Sequence, residues 1–331
     1  MKLRSSSLVF ALLLSAALST PSSAGTNTKI CIAYDTGGLG DRSFNDATLA
    51  GVKKAQDQLT FALEAVVTDG SAEDRVKRVR SLAVKSCAVV IAVGAEYAKA
   101  VDEISTEFPS NHFAIIGDDT IASLNVTSIV FADVQAAFLA GFSAALATKT
   151  GKVAMITTPS SADIYQDGFV AGVAASKKKV RTFVSYTASD LDIAATSLIR
   201  LGVDVIYTAL SGSADDAFSA IVKANTAKNR KKNASDVYMI LSEPDLYLTV
   251  TPATAKYLVA SVVKRVDSAV EDVITAAEND SQISDVLDAE VGIFGRRYTI
   301  ADKGIEIVLK SKALGTQAAV INSAAIAAYA R

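Results

Sequence analysis

From Lys29 onward, short apolar runs alternate with segments whose apolar residues recur at helical spacing. Lys29–Tyr34, Leu63–Val67, Ala88–Val93 and Phe113–Ile116 are rich in β-branched side chains and predict buried parallel strands. Between them, Phe44–Gln58, Ala72–Lys85 and Tyr97–Phe108 predict helices, with Ser71 as an N-cap and Asp74 in the first turn behind it. The pattern then restarts. Val126–Phe131 predicts a strand, and Asp133 is placed to cap a long helix through Leu146 that stops before Gly151. Lys152–Ile156, Val180–Tyr186, Val203–Tyr207 and Val237–Leu241 follow as strands, separated by helices over Ile164–Lys177, Asp190–Leu201 and Asp215–Ala224. Repeated strand–helix–strand units of this kind fold as parallel sheets covered by helices on both faces. The fold class expected is α/β, with two doubly wound, Rossmann-like lobes joined by a hinge.

Tyr257–Val262 and Asp267–Glu278 predict a strand and a helix beyond what the second lobe needs, and Thr316–Ala328 a final helix. The simplest use for the surplus is a return to the first lobe. That places about residues 25–131 plus 251–285 in the N-terminal lobe and 132–250 plus 286–331 in the C-terminal one. No long Pro/Gly/Ser linker separates them, so the connection is expected to be several short crossovers, which suits a hinge.

Residues 1–24 have a different character. Lys2 and Arg4 precede an apolar run from Leu8 to Leu18, and Ser22-Ser23-Ala24 supplies small residues, the pattern of a cleavable export signal. The run is too short to span a bilayer of about 30 Å. No cysteine lies near Ala24 for lipid attachment, so an extracytoplasmic protein free of a lipid anchor is expected. An oxidising compartment permits a disulfide. Cys31 falls in the first strand and Cys87 just before the third, and those strands are neighbours in the flavodoxin-like order. A Cys31–Cys87 bridge and two buried thiols are both open.

Composition narrows the chemistry. Of 331 residues, 50% are hydrophobic, enough for a large core, and Lys+Arg 33 against Asp+Glu 35 gives no basic footprint for nucleic acid. The clusters Lys177–Lys179 and Lys228–Lys232 lack interleaved aromatics and read as solvated loops. One histidine, His112, and two cysteines are too few for a structural zinc cluster. No cofactor is expected.

The chemistry gathers after the first strand, in Asp35-Thr36-Gly37-Gly38-Leu39-Gly40-Asp41-Arg42-Ser43-Phe44-Asn45. Doubly wound sheets bind ligands outside the carboxyl ends of their strands, where this segment falls. Ser43 stands where a dinucleotide fingerprint needs its third glycine, and a Walker lysine is missing. Two acids would repel a phosphate, whereas acids beside helix-start amides suit a neutral polyhydroxylated ligand.

This segment, read D-x-G-G-x-x-D-[KR]-S-F-N, resembles the signature of the basic membrane protein family, the PnrA-like nucleoside-binding substrate-binding proteins of ABC transporters. Asn125–Gly141 (NVTSIVFADVQAAFLAG), Lys149–Val153, Tyr165–Gly172 and Ala260–Ala269 (ASVVKRVDSA) are similar to further blocks of that family, in the same order. The resemblance implies a type I periplasmic-binding-protein fold, a nucleoside (purine above all) held between closing lobes, and delivery to an ABC permease and its ATPase by a monomeric protein with no catalysis. It assigns Phe44 to stack on the base, Asp35 and Asn45 to hydrogen-bond the ligand, Asp118 or Asp119 to face the base edge, and Lys264 to donate to ribose hydroxyls. The extra Gly117 leaves Asp118 and Asp119 both open. Glu243 would take the place of the ribose-binding acid in the altered stretch Leu241–Leu246, and Leu210 fills a glycine position. Phe169, Tyr165 and Tyr207 are the candidates for the aromatic opposite Phe44. The altered stretch admits riboflavin or a sugar instead. An enzyme of the same architecture, a secreted nucleoside hydrolase using Asp35 and Asp41, is the rival class; the lone histidine weighs against it.

Overall fold

The computed structural model describes residues 28–187, 189–210, 214–228, 231–232, 234–242, 250–309, 311 and 314–329. The expected signal segment and Glu243 lie outside these residues. The first half runs β1 (Lys29–Tyr34), α1 (Phe44–Gln56), β2 (Ala62–Val67), α2 (Ala72–Ala83), β3 (Val89–Val93), α3 (Ala98–Glu107), β4 (Phe113–Ile116) and β5 (Val126–Phe131). These strands pair in parallel in the order β2-β1-β3-β4-β5. The second half repeats the plan with α4 (Asp133–Ala147), β6 (Lys152–Thr157), α5 (Ala162–Ala175), β7 (Arg181–Tyr186), α6 (Leu191–Arg200), β8 (Val205–Ala209), α7 (Asp215–Thr226), β9 (Tyr238–Ser242), α8 (Pro252–Ala255) and β10 (Leu258–Lys264). Its parallel order is β7-β6-β8-β9-β10. Two doubly wound α/β sheets are therefore present, each built as the apolar runs predict.

The late elements are distributed differently from the expected lobe boundaries. β10 joins the second sheet and not the first, because α8 is a single short turn that returns the chain directly beside β9. The return comes one element later, when α9 (Val266–Glu278) packs on α1. Gly51 makes that approach possible, since a Cβ there would lie 2.4 Å from the Asp267 carbonyl oxygen. β11 (Asp285–Asp288) and β12 (Ile293–Tyr298) then extend the first sheet beside β5, and β13 (Ile305–Leu309) pairs antiparallel with β10 in the second. α10 (Ala318–Tyr329) closes the chain against α4. β11–β13 escaped the sequence reading because they are short and carry charges, as in Ile293-Phe294-Gly295-Arg296-Arg297-Tyr298.

The chain passes between the sheets three times, near Ala132, Arg265 and Thr299, and the crossings are hydrogen-bonded to one another. Ala132 N–H donates to the Tyr298 carbonyl at 2.9 Å, and Arg265 N–H to that of Gly304 at 2.8 Å. Ile300 N–H donates to Gln135 Oε1 at 3.0 Å. Helices α4 and α5 meet almost backbone to backbone. A Cβ on Gly141 would stand 2.0 Å from the Phe169 carbonyl oxygen, on Gly168 2.2 Å from that of Val134, and on Gly172 2.1 Å from that of Phe138. Cys31 and Cys87 are disulfide-bonded, with Cα atoms 5.9 Å apart, which resolves the two readings left open for them.

Candidate functional site

The loop after β1 is held by its own side chains. Asn45 is buried and spends its amide on the backbone: Oδ1 accepts the Asp35 N–H at 3.0 Å, while Nδ2 donates to the carbonyls of Asp35 at 3.2 Å and Gly38 at 3.0 Å. An amide so engaged has little capacity for a ligand, so the expected ligand contact at Asn45 becomes a structural staple. Asp41 faces the start of α1. Its Oδ1 accepts N–H groups of Ser43 (2.8 Å) and Asp46 (3.2 Å), and its Oδ2 that of Asn45 (3.2 Å). It satisfies the free amides of a helix start. Asp35 Oδ1 accepts from Arg75 Nη2 at 2.8 Å. The Asp35/Asp41 pair of the hydrolase reading is thus divided between an arginine and a helix cap.

Phe44 emerges from this loop on the first turn of α1 and is half-buried. It lines a cleft with Ala47, Val263, Lys264 and Arg265, where α1 faces the crossing at the end of β10. Lys264 Nζ stands 5.8 Å from the Phe44 ring centroid and 6.0 Å from that of Tyr165, close to a cation–π arrangement with both. The same ammonium donates to the Tyr165 hydroxyl at 3.3 Å and lies 2.7 Å from Asp133 Oδ1. Its side chain is only 8% exposed, so the paired carboxylate offsets the cost of withdrawing the charge from water.

These contacts decide between the candidate aromatics. Phe169 and Tyr207 stack on each other, with centroids 5.6 Å apart and planes 10° from parallel, and both are fully buried. They belong to the core and do not oppose Phe44, a correction to both assignments. Tyr207 still borders the cluster. Burial first, and the neighbouring Tyr165 second, push its phenol far above the usual range, and its hydroxyl pairs with Ser242 Oγ at 3.1 Å. Tyr165 is the aromatic brought into line with Phe44 across Lys264.

The two acids after β4 also separate. Asp119 Oδ2 accepts from Arg297 Nη2 at 2.8 Å and so ties the loop to β12. Asp118 Oδ1 accepts the N–H and hydroxyl of Thr120 at 2.9 and 2.8 Å, closing a local turn. Asp118 follows Gly117, whose Cβ would meet the Phe44 ring at 3.6 Å. Asp133, read from the sequence as a helix cap, is instead the first residue of α4, behind the N-cap Ala132, and binds Lys264. Its position at the carboxyl end of β5 is the signal that could have found it, the same rule that selects Asp35 and Asp118.

Two doubly wound sheets joined by three crossovers thus gather polar and aromatic groups at the strand ends between them. The family described as ABC transporter substrate-binding protein PnrA-like matches residues 29–320, and the chain belongs to that family. The CD4+ T-cell-stimulating antigen of Listeria monocytogenes is 34% identical over 269 residues, 75% of this chain and 73% of its own. The ABC transporter nucleoside-binding protein BmpA of Lactococcus lactis is 27% identical over 263 residues, 75% of this chain and 74% of its own. An ABC transporter solute-binding protein from Aeropyrum pernix shares the fold, with a TM-score of 0.68 over 91% of this chain and 85% of its own at 17% identity. Membership implies a small-molecule ligand and a membrane permease as partner. Among the described residues, no helix is long and apolar enough to cross a membrane.

Proposed function

We propose that this chain is the exported binding protein of an ABC importer and that its solute is a nucleoside, with purines preferred. The observation that carries the reading is the half-buried Phe44 ring facing the Lys264–Tyr165–Asp133 cluster between the two sheets. A flat base stacks on Phe44, while Asp35 and Asp118 supply acceptors for its N–H donors. Lys264 and Asp133, a donor and an acceptor side by side, match the paired hydroxyls of a ribose. A ligand lacking those hydroxyls would leave the buried ion pair less well satisfied, which is a source of specificity. The BmpA name of the Lactococcus relative supports the same ligand class. Delivery outside the cytoplasm follows from the signal-like residues 1–24 and from the family's role.

The test is a thermal-shift screen of refolded, ligand-free protein against purine and pyrimidine nucleosides, riboflavin and pentoses, with mass spectrometry of what is recovered. A ligand that binds only the folded state stabilises it by about 2.7 kcal/mol at a hundredfold excess over Kd. Purine nucleosides are expected to raise Tm and to be recovered intact. A response confined to riboflavin or pentoses would reject the ligand, and recovery of free base and ribose would reject the non-enzymatic role.

A further inference from the structure

Arg75 projects from the first turn of α2 into the place where the loops after β1, β2 and β3 converge. Its Nη2 donates to Asp35 Oδ1 at 2.8 Å, and its Nη1 donates to the Gly70 carbonyl at 2.7 Å. The guanidinium lies 5.6 Å from the Tyr97 ring centroid, and the Tyr97 hydroxyl donates to the Tyr34 carbonyl at 2.9 Å, one residue before Asp35. The Arg75 side chain is 11% exposed and the Asp35 side chain 26%. One arginine therefore clamps the end of β1 directly through Asp35, the end of β2 through Gly70 and the end of β3 through Tyr97.

The clamp also sets which way the Asp35 carboxylate faces. Oδ1 is taken by Arg75, and Oδ2 lies over Gly94, where a Cβ would come within 3.2 Å. Gly94 has φ +107°, a backbone conformation that disfavours side chains, so this floor stays bare. Oδ2 is left as an acceptor of fixed direction just beyond the carboxyl end of β1. A freely rotating carboxylate would lose rotamer entropy on binding, and one already held by an arginine does not.

We propose that Arg75 is a positioning residue that pre-orients Asp35, so that Oδ2 accepts a hydrogen bond from an N–H or O–H donor of the ligand. This deepens the nucleoside reading and rests on it. Lysine cannot reproduce the arrangement, because a single ammonium lacks the planar fork that reaches Asp35 and Gly70 together.

The experiment is a double-mutant cycle by calorimetry with guanosine, inosine and adenosine on parent, R75Q, R75K, D35N and D35N/R75Q proteins, each checked for a cooperative thermal transition. R75Q is expected to weaken binding by about tenfold, and R75K to fold like the parent while binding less tightly. In the D35N background the Arg75 substitution is expected to cost less than twofold, since its target is already disabled. An R75Q affinity within twofold of the parent, or equal losses with and without Asp35, would overturn the role of Arg75. If R75Q does not fold, the R75K and D35N/R75K proteins complete the same cycle. A parent that binds no nucleoside would overturn the nucleoside reading and this one together, whereas binding by the parent with additive losses overturns this one alone.

Discussion

Phe44 is a helix-start residue by sequence, lines the cleft by placement, and is the platform for the base in the function proposed above. Its ring is held from behind by α1 and left half-exposed toward Lys264. Replacing it with alanine removes the stacking surface without touching the loop staple Asn45. Phe44→Ala is expected to weaken nucleoside binding by at least about tenfold, the low end of a lost stack, in calorimetry. Near-parental affinity would take Phe44 out of the site. At the neighbouring crossing, burial pushes the Asp267 carboxyl up, but hydrogen bonds from Arg265 at 2.8 Å and the Lys54 ammonium outweigh it and hold the group at about 2, below the ordinary 3.8. The folded state thus binds this proton less readily than the unfolded chain. The stability it contributes is fully present above the ordinary value and is lost as pH falls from about 4 toward 2. A shift of this size corresponds to about 2 kcal/mol. Urea midpoints of the parent and Asp267→Asn proteins are expected to differ at pH 6 and to converge near pH 2; a constant gap would mean that Asp267 does not drive the acid limb.

Helices α4 and α5 show what the glycine-bearing blocks are for. Gly141, Gly168 and Gly172 face backbone carbonyls of the opposite helix at distances no Cβ tolerates. Gly168→Ala is expected to force these helices apart and to lower stability by about 1–3 kcal/mol, read as a reduced denaturant midpoint at unchanged m-value. Unaltered stability would show that the helices separate without cost. The blocks Asn125–Gly141 and Tyr165–Gly172 were legible in the sequence as family-like, but not as a helix–helix contact, because a small residue carries no sign of what it touches. Ser71, by contrast, was legible as a cap: Asp74 N–H donates to its hydroxyl at 3.2 Å. Capping is a local matter of a few residues, whereas helix approach is set by two segments that fold separately.

The whole molecule is two sheets on three hydrogen-bonded crossings, with the cleft lined by Phe44 and Lys264 beside the crossing at Arg265. Short parallel crossings permit rigid-body closure with few backbone changes. Saturating nucleoside is expected to reduce the radius of gyration measured by small-angle scattering, and an unchanged value would mean that ligand enters without lobe closure. The crossing at Arg265 is braced on both sides, since its guanidinium binds Asp267 on α9 and, at 2.9 Å, Glu306 on β13.

Strand and helix order as far as α9, the short α8 apart, the doubly wound class and the loop carrying Asp35 and Phe44 were determined by the sequence alone, because apolar periodicity and turn chemistry act over a few residues at a time. Tertiary structure decided which sheet receives β10 to β13, that Asn45 and Asp41 serve the loop, that Phe169 and Tyr207 stack in the core, and that Asp133 pairs with Lys264 and Arg75 with Asp35. The pairings of Asp133 and Arg75 depend on partners distant in sequence, Lys264 for Asp133 and Asp35 for Arg75. A side chain's role at such a place follows from the direction in which its neighbours leave it free to point.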